Sequence, residues 1–348
     1  MIREAKCEGR QGNVSLIIAL EALFSRFTII FVRKVKHFCG VLCNFVQQNQ
    51  RKKKMKVEET PFRTLVEVPK WANPMHKDQQ FVLLGSCFAQ NIGERFQSYG
   101  LNALCNPLGV TYNPESIAIQ VKQALTGESE LPIFQANEQE WRCWWANTLI
   151  SDTDESRLRE SIRNKFSELG EAIRKADYLF TTFGTNVCYR LKESGLIVAN
   201  CHKAPSKLFE EVTLTTEECV NITCELLDLL TLSCPTTHVI FTISPYRYKK
   251  YGFHGSQLAK ATLLLAVDKV CKLYPEKASY FPAYELLLDD LRDYRFYADD
   301  MIHPSPVAVN YIWQKMVENC MDKEMQQYLE DYEPIRKAKE HKHLNYQL

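Results

Sequence analysis

Two places in the sequence combine residue types that acyl transfer needs. The first is Gly85-Ser86-Cys87-Phe88-Ala89, which follows a short apolar run and leads into a helical pattern through Gln90 and Asn91. A serine at a strand-to-helix turn is lifted out of the sheet and sits beside free backbone N–H groups of the helix, which suit an oxyanion. Gly85 permits the tight turn, although Gly-Ser alone is also an ordinary helix N-cap. The second place is Asp300-Met301-Ile302-His303-Pro304-Ser305. On a single helical turn, Asp300 and His303 face the same way, so the carboxylate holds one ring nitrogen while the other reaches a nucleophile. Ser86, His303 and Asp300 are therefore the candidate catalytic residues. A third element, Phe183-Gly184-Thr185-Asn186, ends another apolar run, and Asn186 either offers its amide to an oxyanion or satisfies its own turn. Gly109, in Asn106-Pro107-Leu108-Gly109, has a backbone N–H for the same purpose. Cys87 is the lesser candidate nucleophile. A thiol at a helix N-terminus can be activated, but one residue into the turn it is expected to point into the core.

These residues need a frame that brings residues 86 and 303 together. The runs 81–86 (FVLLGS), 178–184 (YLFTTFG), 238–244 (HVIFTIS) and 279–287 (SYFPAYELL), with a shorter piece at 102–109, read as buried strands. Between them, helical patterns cover Ala89–Tyr99, Pro114–Leu125, Asp154–Lys175, Thr216–Leu232, Ser256–Leu273 and Pro306–Asn319. Strand–helix alternation predicts a three-layer α/β/α sandwich around a mostly parallel sheet, with the site beyond the carboxyl ends of the strands. The connection 126–153 is unusually long and holds Trp141, Trp144 and Trp145. It reads either as a hairpin packed on the sheet edge or as a wall of the ligand cleft.

The segments GSCFA (85–89) with QNIGERF, NPLGVTYNP (106–114), FGT (183–185), NCHKAP (200–205), TISPYRYKKYGFHGSQLAKATLLLA (242–266) and YFPAYELLLDDLRDYRFYADDMIHPS (280–305) resemble the GSCFA-domain family. That family is placed in the SGNH/GDSL hydrolase superfamily, and the resemblance spans roughly residues 58–320. It implies a flavodoxin-like fold and, by superfamily analogy, ester hydrolysis through Ser86, His303 and Asp300. The superfamily blocks map to Gly85 and Ser86, to Gly109, to Gly184 and Asn186, and to Asp300 and His303, with Thr185 as the alternative to Asn186. The remaining motifs carry no assigned chemistry. From them His202, Lys203, Arg247, His254 and Gln257 are candidates for binding a polar or anionic substrate, since their loops should meet at the same sheet edge. The acidic, aromatic stretch before Asp300 is expected to scaffold the Asp300–His303 turn.

Charge divides the chain. Residues 1–54 hold 11 Lys+Arg against 3 Asp+Glu, a net of +8, which leaves 32 against 39, a net of −7, for the remainder of the 348 residues. Glu21 and Arg26 interrupt the apolar run 14–32, so a stable membrane span is not expected. The expectation is a basic leader over 1–54 that the fold does not use, followed by one domain over 55–348, with Met55 as the natural start. The acidic remainder argues against nucleic-acid binding. The 13 cysteines, an odd number without an export signal or a C-x-x-C pair, read as reduced thiols in a cytoplasm. No metal and no cofactor are expected.

The functional reading is a serine esterase acting on a small-molecule or carbohydrate ester, with acetyl as the example acyl group. Backbone N–H groups of Ser86 and Gly109, with Asn186 or Thr185, would form the oxyanion hole. Acyl transfer by the same residues, and ligand binding without turnover, are the alternatives. Oligomeric state is not readable from the sequence.

Overall fold

The computed structural model of the chain describes residues 64–345. The leader expected over 1–54 and the start at Met55 lie outside the described residues. In chain order the elements are β1 (Phe81–Gly85), α1 (Cys87–Ser98), β2 (Ala103–Cys105), α2 (Pro114–Thr126), β3 (Ile133–Asn137), β4 (Glu140–Cys143), β5 (Ser151–Asp152) and α3 (Glu155–Lys175). They continue with β6 (Tyr178–Phe183), β7 (Val187–Leu191), β8 (Ile197–Val198), β9 (Phe209–Thr213), α4 (Thr216–Ser233), β10 (His238–Ile243), α5 (Gly252–Leu273), β11 (Ala278–Tyr280), α6 (Pro306–Cys320) and α7 (Lys323–Asn345).

Five strands form one parallel sheet in the order β2-β1-β6-β10-β11. Among these five, the spatial order is 2-1-3-4-5 in sequence rank, so the chain reverses direction between β1 and β6, where an open α/β sheet has its crevice. Both faces are covered, as the uninterrupted apolar runs require. Val82 and Leu84 pack with Ile117 of α2, Ile162 of α3, Leu227 of α4 and Leu263 of α5. Phe81 and Leu83 point the other way, onto Ile92 of α1, Trp313 of α6 and Met325 of α7. The expected α/β/α sandwich is thus the observed one. No helix among the described residues is long and apolar enough to cross a membrane.

Two details differ from the sequence reading, and one open alternative is decided. The run 279–287 is not one strand: β11 stops at Tyr280, Pro282 follows, and 283–291 coils into helical turns, because proline cannot continue the hydrogen-bonded ladder. Residues 126–153 form the antiparallel sheet β3-β4-β5, in which Trp144 stacks on Phe134 with ring centroids 3.6 Å apart. Trp144 and Trp145 are buried in this packing, so the hairpin reading holds over the cleft-wall reading. Between β6 and α4 the chain builds a second antiparallel sheet, β8-β7-β9, that the sequence reading left undivided.

Gly85 ends β1 at the tightest point of the sheet. Its φ is +131°, and a Cβ there would lie 2.3 Å from the Thr182 carbonyl oxygen of the neighbouring β6. The same carbonyl accepts the Ser86 N–H at 3.2 Å, while Asn106 Oδ1 accepts the Gly85 N–H at 2.9 Å. Gly85→Ala adds a rigid backbone clash to a strained φ, and is expected to cost about 3 kcal/mol or more. Urea unfolding of the variant checks this, and a loss below about 1 kcal/mol would contradict it.

Candidate active site

Beyond the carboxyl ends of β1, β6 and β10 opens a cleft of about 380 Å³, within the range of small-ligand sites. Its floor comes from the start of α1, where Cys87 contributes a half-buried side chain. Tyr112 and Asn113 come from the connection between β2 and α2, Thr185 from the end of β6, and Tyr246 and Tyr248 from the end of β10. Tyr189 of β7, with Asn200 and Cys201 after β8, forms the far wall, and His303 closes the cleft from the turn before α6.

The Asp300–His303 pair is formed. His303 Nδ1 lies 2.5 Å from Asp300 Oδ2, and Asp300 Oδ1 accepts the backbone N–H groups of Ile302 and His303, each at 2.9 Å. The His303 hydrogen bonds, from ring and backbone, together with that of Ile302, hold the Asp300 carboxyl at about 2. The two residues face the same way, but not through a helical turn. Met301 between them has φ +59°, and the segment is an irregular turn folded around the carboxylate. Arg247 holds this turn: its backbone N–H reaches the Ile302 carbonyl at 2.9 Å and its guanidinium the Met301 carbonyl at 3.1 Å. The guanidinium also lies over the rings of Phe253 (4.0 Å), Tyr297 (5.2 Å) and Tyr294 (5.7 Å). The aromatic stretch before Asp300 is therefore a scaffold of rings around one arginine.

Ser86 stands differently from the expectation. It is fully buried. Its N–H is given to Thr182 O, its carbonyl accepts the Gln90 N–H, and its Oγ accepts the Phe88 N–H at 3.3 Å as the N-cap of α1. His303 forms no hydrogen bond with it among the described residues. Cys87, expected in the core, is half-buried and is the residue of this turn that borders the cleft. Burial pushes the Cys87 thiol up; the N–H groups at the start of α1 and the Lys260 charge oppose that, and the Asp300 charge adds to it.

The expected oxyanion donors are mostly spent elsewhere. The Ser86 N–H is in the sheet, the Gly109 N–H closes a turn onto Asn106 O at 2.7 Å, and Asn186 Nδ2 donates to Leu214 O at 2.7 Å, tying β6 to the entrance of α4. Thr185 gives its N–H to Tyr112 O at 3.0 Å and its Oγ accepts the Val187 N–H at 3.2 Å, which leaves its hydroxyl proton unspent in a residue that borders the cleft. Asn113, not anticipated, is 6% exposed; its Oδ1 caps α2 by accepting the Ser116 N–H at 2.8 Å, which turns its Nδ2 away from that helix, and the residue borders the cleft.

None of the five candidate substrate-binding residues lines this cleft among the described residues. His202 is buried against the edge of the stacked Phe134 and Trp144 rings, with its Nε2 donating to Cys143 O at 2.9 Å. Lys203 and His254 are exposed. Gln257 Oε1 accepts from Tyr284 OH at 2.7 Å, and Arg247 holds the catalytic-type turn. The cleft uses the neighbours of these residues: Asn200 and Cys201 beside His202, and Tyr246 and Tyr248 on either side of Arg247. The sequence signal for these was aromatic and amide content next to a strand end, which is weaker than the charge of a lysine or arginine. Beneath the cleft, Lys260 of α5 is 1% exposed and donates to Gly184 O at 2.6 Å and Ser244 O at 2.8 Å. Burial without a carboxylate partner pushes its ammonium down to about 7.

A larger hollow, about 550 Å³, lies at the amino-terminal edge of the sheet, bordered by Trp71, Asp177, His238 and Ser279. There His238 Nε2 is 2.8 Å from Ser279 Oγ. That edge faces helix carboxyl ends, whose free carbonyls repel an oxyanion, so the cleft at the opposite edge is the better site.

The burial of His202 has a measurable consequence. Desolvation pushes its pKa down from 6.5 to about 4. Between those values the unfolded chain takes up the proton and the folded chain does not, so stability is full above pH 6.5 and falls as pH drops toward 4. The loss is expected to reach about 3 kcal/mol, with His202→Gln flattening it. Urea titrations near pH 7 and near pH 4.5 on both proteins measure the difference, and an identical pH response in the variant would contradict the assignment.

No curated protein matches the sequence. Two solved structures match at low similarity: a candidate platelet activating factor from Streptococcus pneumonia, 12% identical over 80% of this chain and 96% of that one, with a TM-score of 0.37, and a candidate GDSL-like lipase from Parabacteroides merdae, 11% identical over 71% of this chain and 97% of that one, with a TM-score of 0.35. The family model for the GSCFA family matches residues 80–316, from the residue before β1 into the third turn of α6. The chain is a member of the GSCFA family.

Proposed function

We propose that the protein is an SGNH/GDSL-type hydrolase that cleaves an acyl ester in the cleft at the carboxyl edge of its sheet. The observation that carries this reading is the Asp300–His303 pair, 2.5 Å apart, with the imidazole bordering the cleft that begins at the amino end of α1. A carboxylate on Nδ1 fixes the ring tautomer, leaving Nε2 to accept a proton from a nucleophile and return it to the leaving alkoxide. Because the Asp300 carboxyl is held at about 2, it stays ionised throughout any ordinary assay range. Developing negative charge on the acyl oxygen would meet the amino end of α1, the Thr185 hydroxyl and the Asn113 amide.

An acylated carbohydrate suits the walls. The rings of Tyr112, Tyr189, Tyr246 and Tyr248 offer flat apolar faces, and Asn113 and Asn200 supply amide groups between them. The volume of about 380 Å³ favours a small acyl group such as acetyl on a single sugar unit.

Hydrolysis of p-nitrophenyl acetate tests the reading. His303→Gln is expected to lower kcat/KM by roughly 10²- to 10⁴-fold, and Asp300→Asn by about 10²-fold, each with little change in thermal stability, since both side chains are more than two-fifths exposed. A His303→Gln variant with the wild-type rate would remove the hydrolase assignment.

A further inference from the structure

We infer that Cys87, and not Ser86, is the residue of this cleft that accepts the acyl group, holding it as a thioester. The inference rests on the ester-cleaving reading above and assigns its nucleophile.

Three independent observations carry it. First, Ser86 stands apart from the cleft: it is fully buried, it is not among the residues that border the cleft with His303, and its Oγ accepts the Phe88 N–H as the N-cap of α1. Reaching a substrate would require its Oγ to give up the N-cap of α1. Second, Cys87 borders the same cleft as His303, and the Tyr246 ring connects them: it lines that cleft and packs on the His303 ring with centroids 4.5 Å apart. Nucleophile and base are thus at one opening, brought there from residues 87 and 303 by the ends of the fold. Third, polar groups suited to the acyl oxygen border the same cleft. Cys87 is the first residue of α1, so its own N–H is one of the donors that a helix leaves unpaired. Asn113 is more than nine-tenths buried and borders the cleft, with no acceptor for its Nδ2 among the described residues.

Electrostatics then say how the thiol works. Burial outweighs the helix N–H groups and the Lys260 cation, so the sulfur rests as a thiol and not as a preformed thiolate. A base must take its proton during attack, which is the task that the Asp300–His303 pair is built for. Cys87 Sγ bonds to the acyl carbon as its proton passes to His303 Nε2. The tetrahedral intermediate expels the alkoxide by breaking the ester C–O bond, and His303 returns the proton to that oxygen. Water, deprotonated by His303, then attacks the thioester; the C–S bond breaks, the acid leaves, and the proton goes back to sulfur.

The test uses the full chain with p-nitrophenyl acetate, following turnover and, after an acid quench, the site of acetylation by peptide mass spectrometry. Neutral hydroxylamine distinguishes the two candidates, because it removes a thioester and spares an oxygen ester. The expected result is a hydroxylamine-labile acetyl group on Cys87, turnover at least about 10³-fold lower in Cys87→Ala, and turnover within about threefold of wild type in Ser86→Ala. Cys87→Ser is nearly isosteric and guards against misfolding; it is expected to lose at least about tenfold, since a hydroxyl is the weaker nucleophile. A hydroxylamine-resistant adduct on Ser86, with Cys87→Ala active and Ser86→Ala inactive, would overturn the inference and leave the hydrolase reading standing. Absence of both turnover and adduct in the wild type would overturn the hydrolase reading and the inference with it.

Discussion

A single buried ammonium holds the working edge of this fold together. Lys260 reaches from α5 under the sheet edge and satisfies the carbonyls of Gly184 and Ser244, the residues that follow β6 and β10. Parallel strands leave such terminal carbonyls without ladder partners, and a buried carbonyl left unpaired costs about 1–3 kcal/mol. One side chain meets two of them, at the expense of desolvating its own charge. The loops that depart from those points carry Thr185 on one side and Tyr246 and Tyr248 on the other, so the walls of the cleft inherit their positions from this contact. An apolar residue in its place would restore neither carbonyl, which is why a position that reads as helix core in sequence holds a lysine.

Around that anchor the site is assembled from segments far apart in sequence, each fixed by a different device. Gly85 allows β1 to pass against Thr182, which sets where α1 begins. Asn113 spends its Oδ1 on capping α2 and keeps its amide at the cleft. Arg247 ties the loop after β10 to the Asp300–His303 turn through two carbonyls and three aromatic rings. Precision at the site therefore comes from the rigid strand ends, and the residues that touch a ligand are mostly one or two positions away from those that hold the backbone.

That separation explains what the sequence made legible. Continuous apolar runs and helical periodicity were enough for the parallel sheet and its two helical layers, because burial on both faces leaves a strong pattern. The Asp-x-x-His spacing was enough for the Asp300–His303 contact, although an Asp-capped turn and not a helix brings the two together. Ser86 and Cys87 could not be ordered from the letters alone: whichever side chain caps the helix turns inward, and that depends on the close passage of β6, a contact between residues nearly a hundred positions apart. Arg247, His202 and Gln257 drew attention as polar residues in loops, yet each satisfies a nearby backbone or side-chain group. The small sheet β8-β7-β9 escaped notice because β8 has two residues and β9 is rich in charge, so neither shows the apolar signature of a core strand.

The turn from Ala298 to His303 stands apart from the rest of the molecule in one respect. It belongs to neither face of the sandwich core and is fastened chiefly by backbone hydrogen bonds and the grip of Arg247. The free energy that orders it is small beside that of the sheet, and local opening draws first on such segments. Local opening of this six-residue turn and loss of the fold are accordingly two separate events, because the contacts that hold Asp300 against His303 are not those that hold the sandwich together.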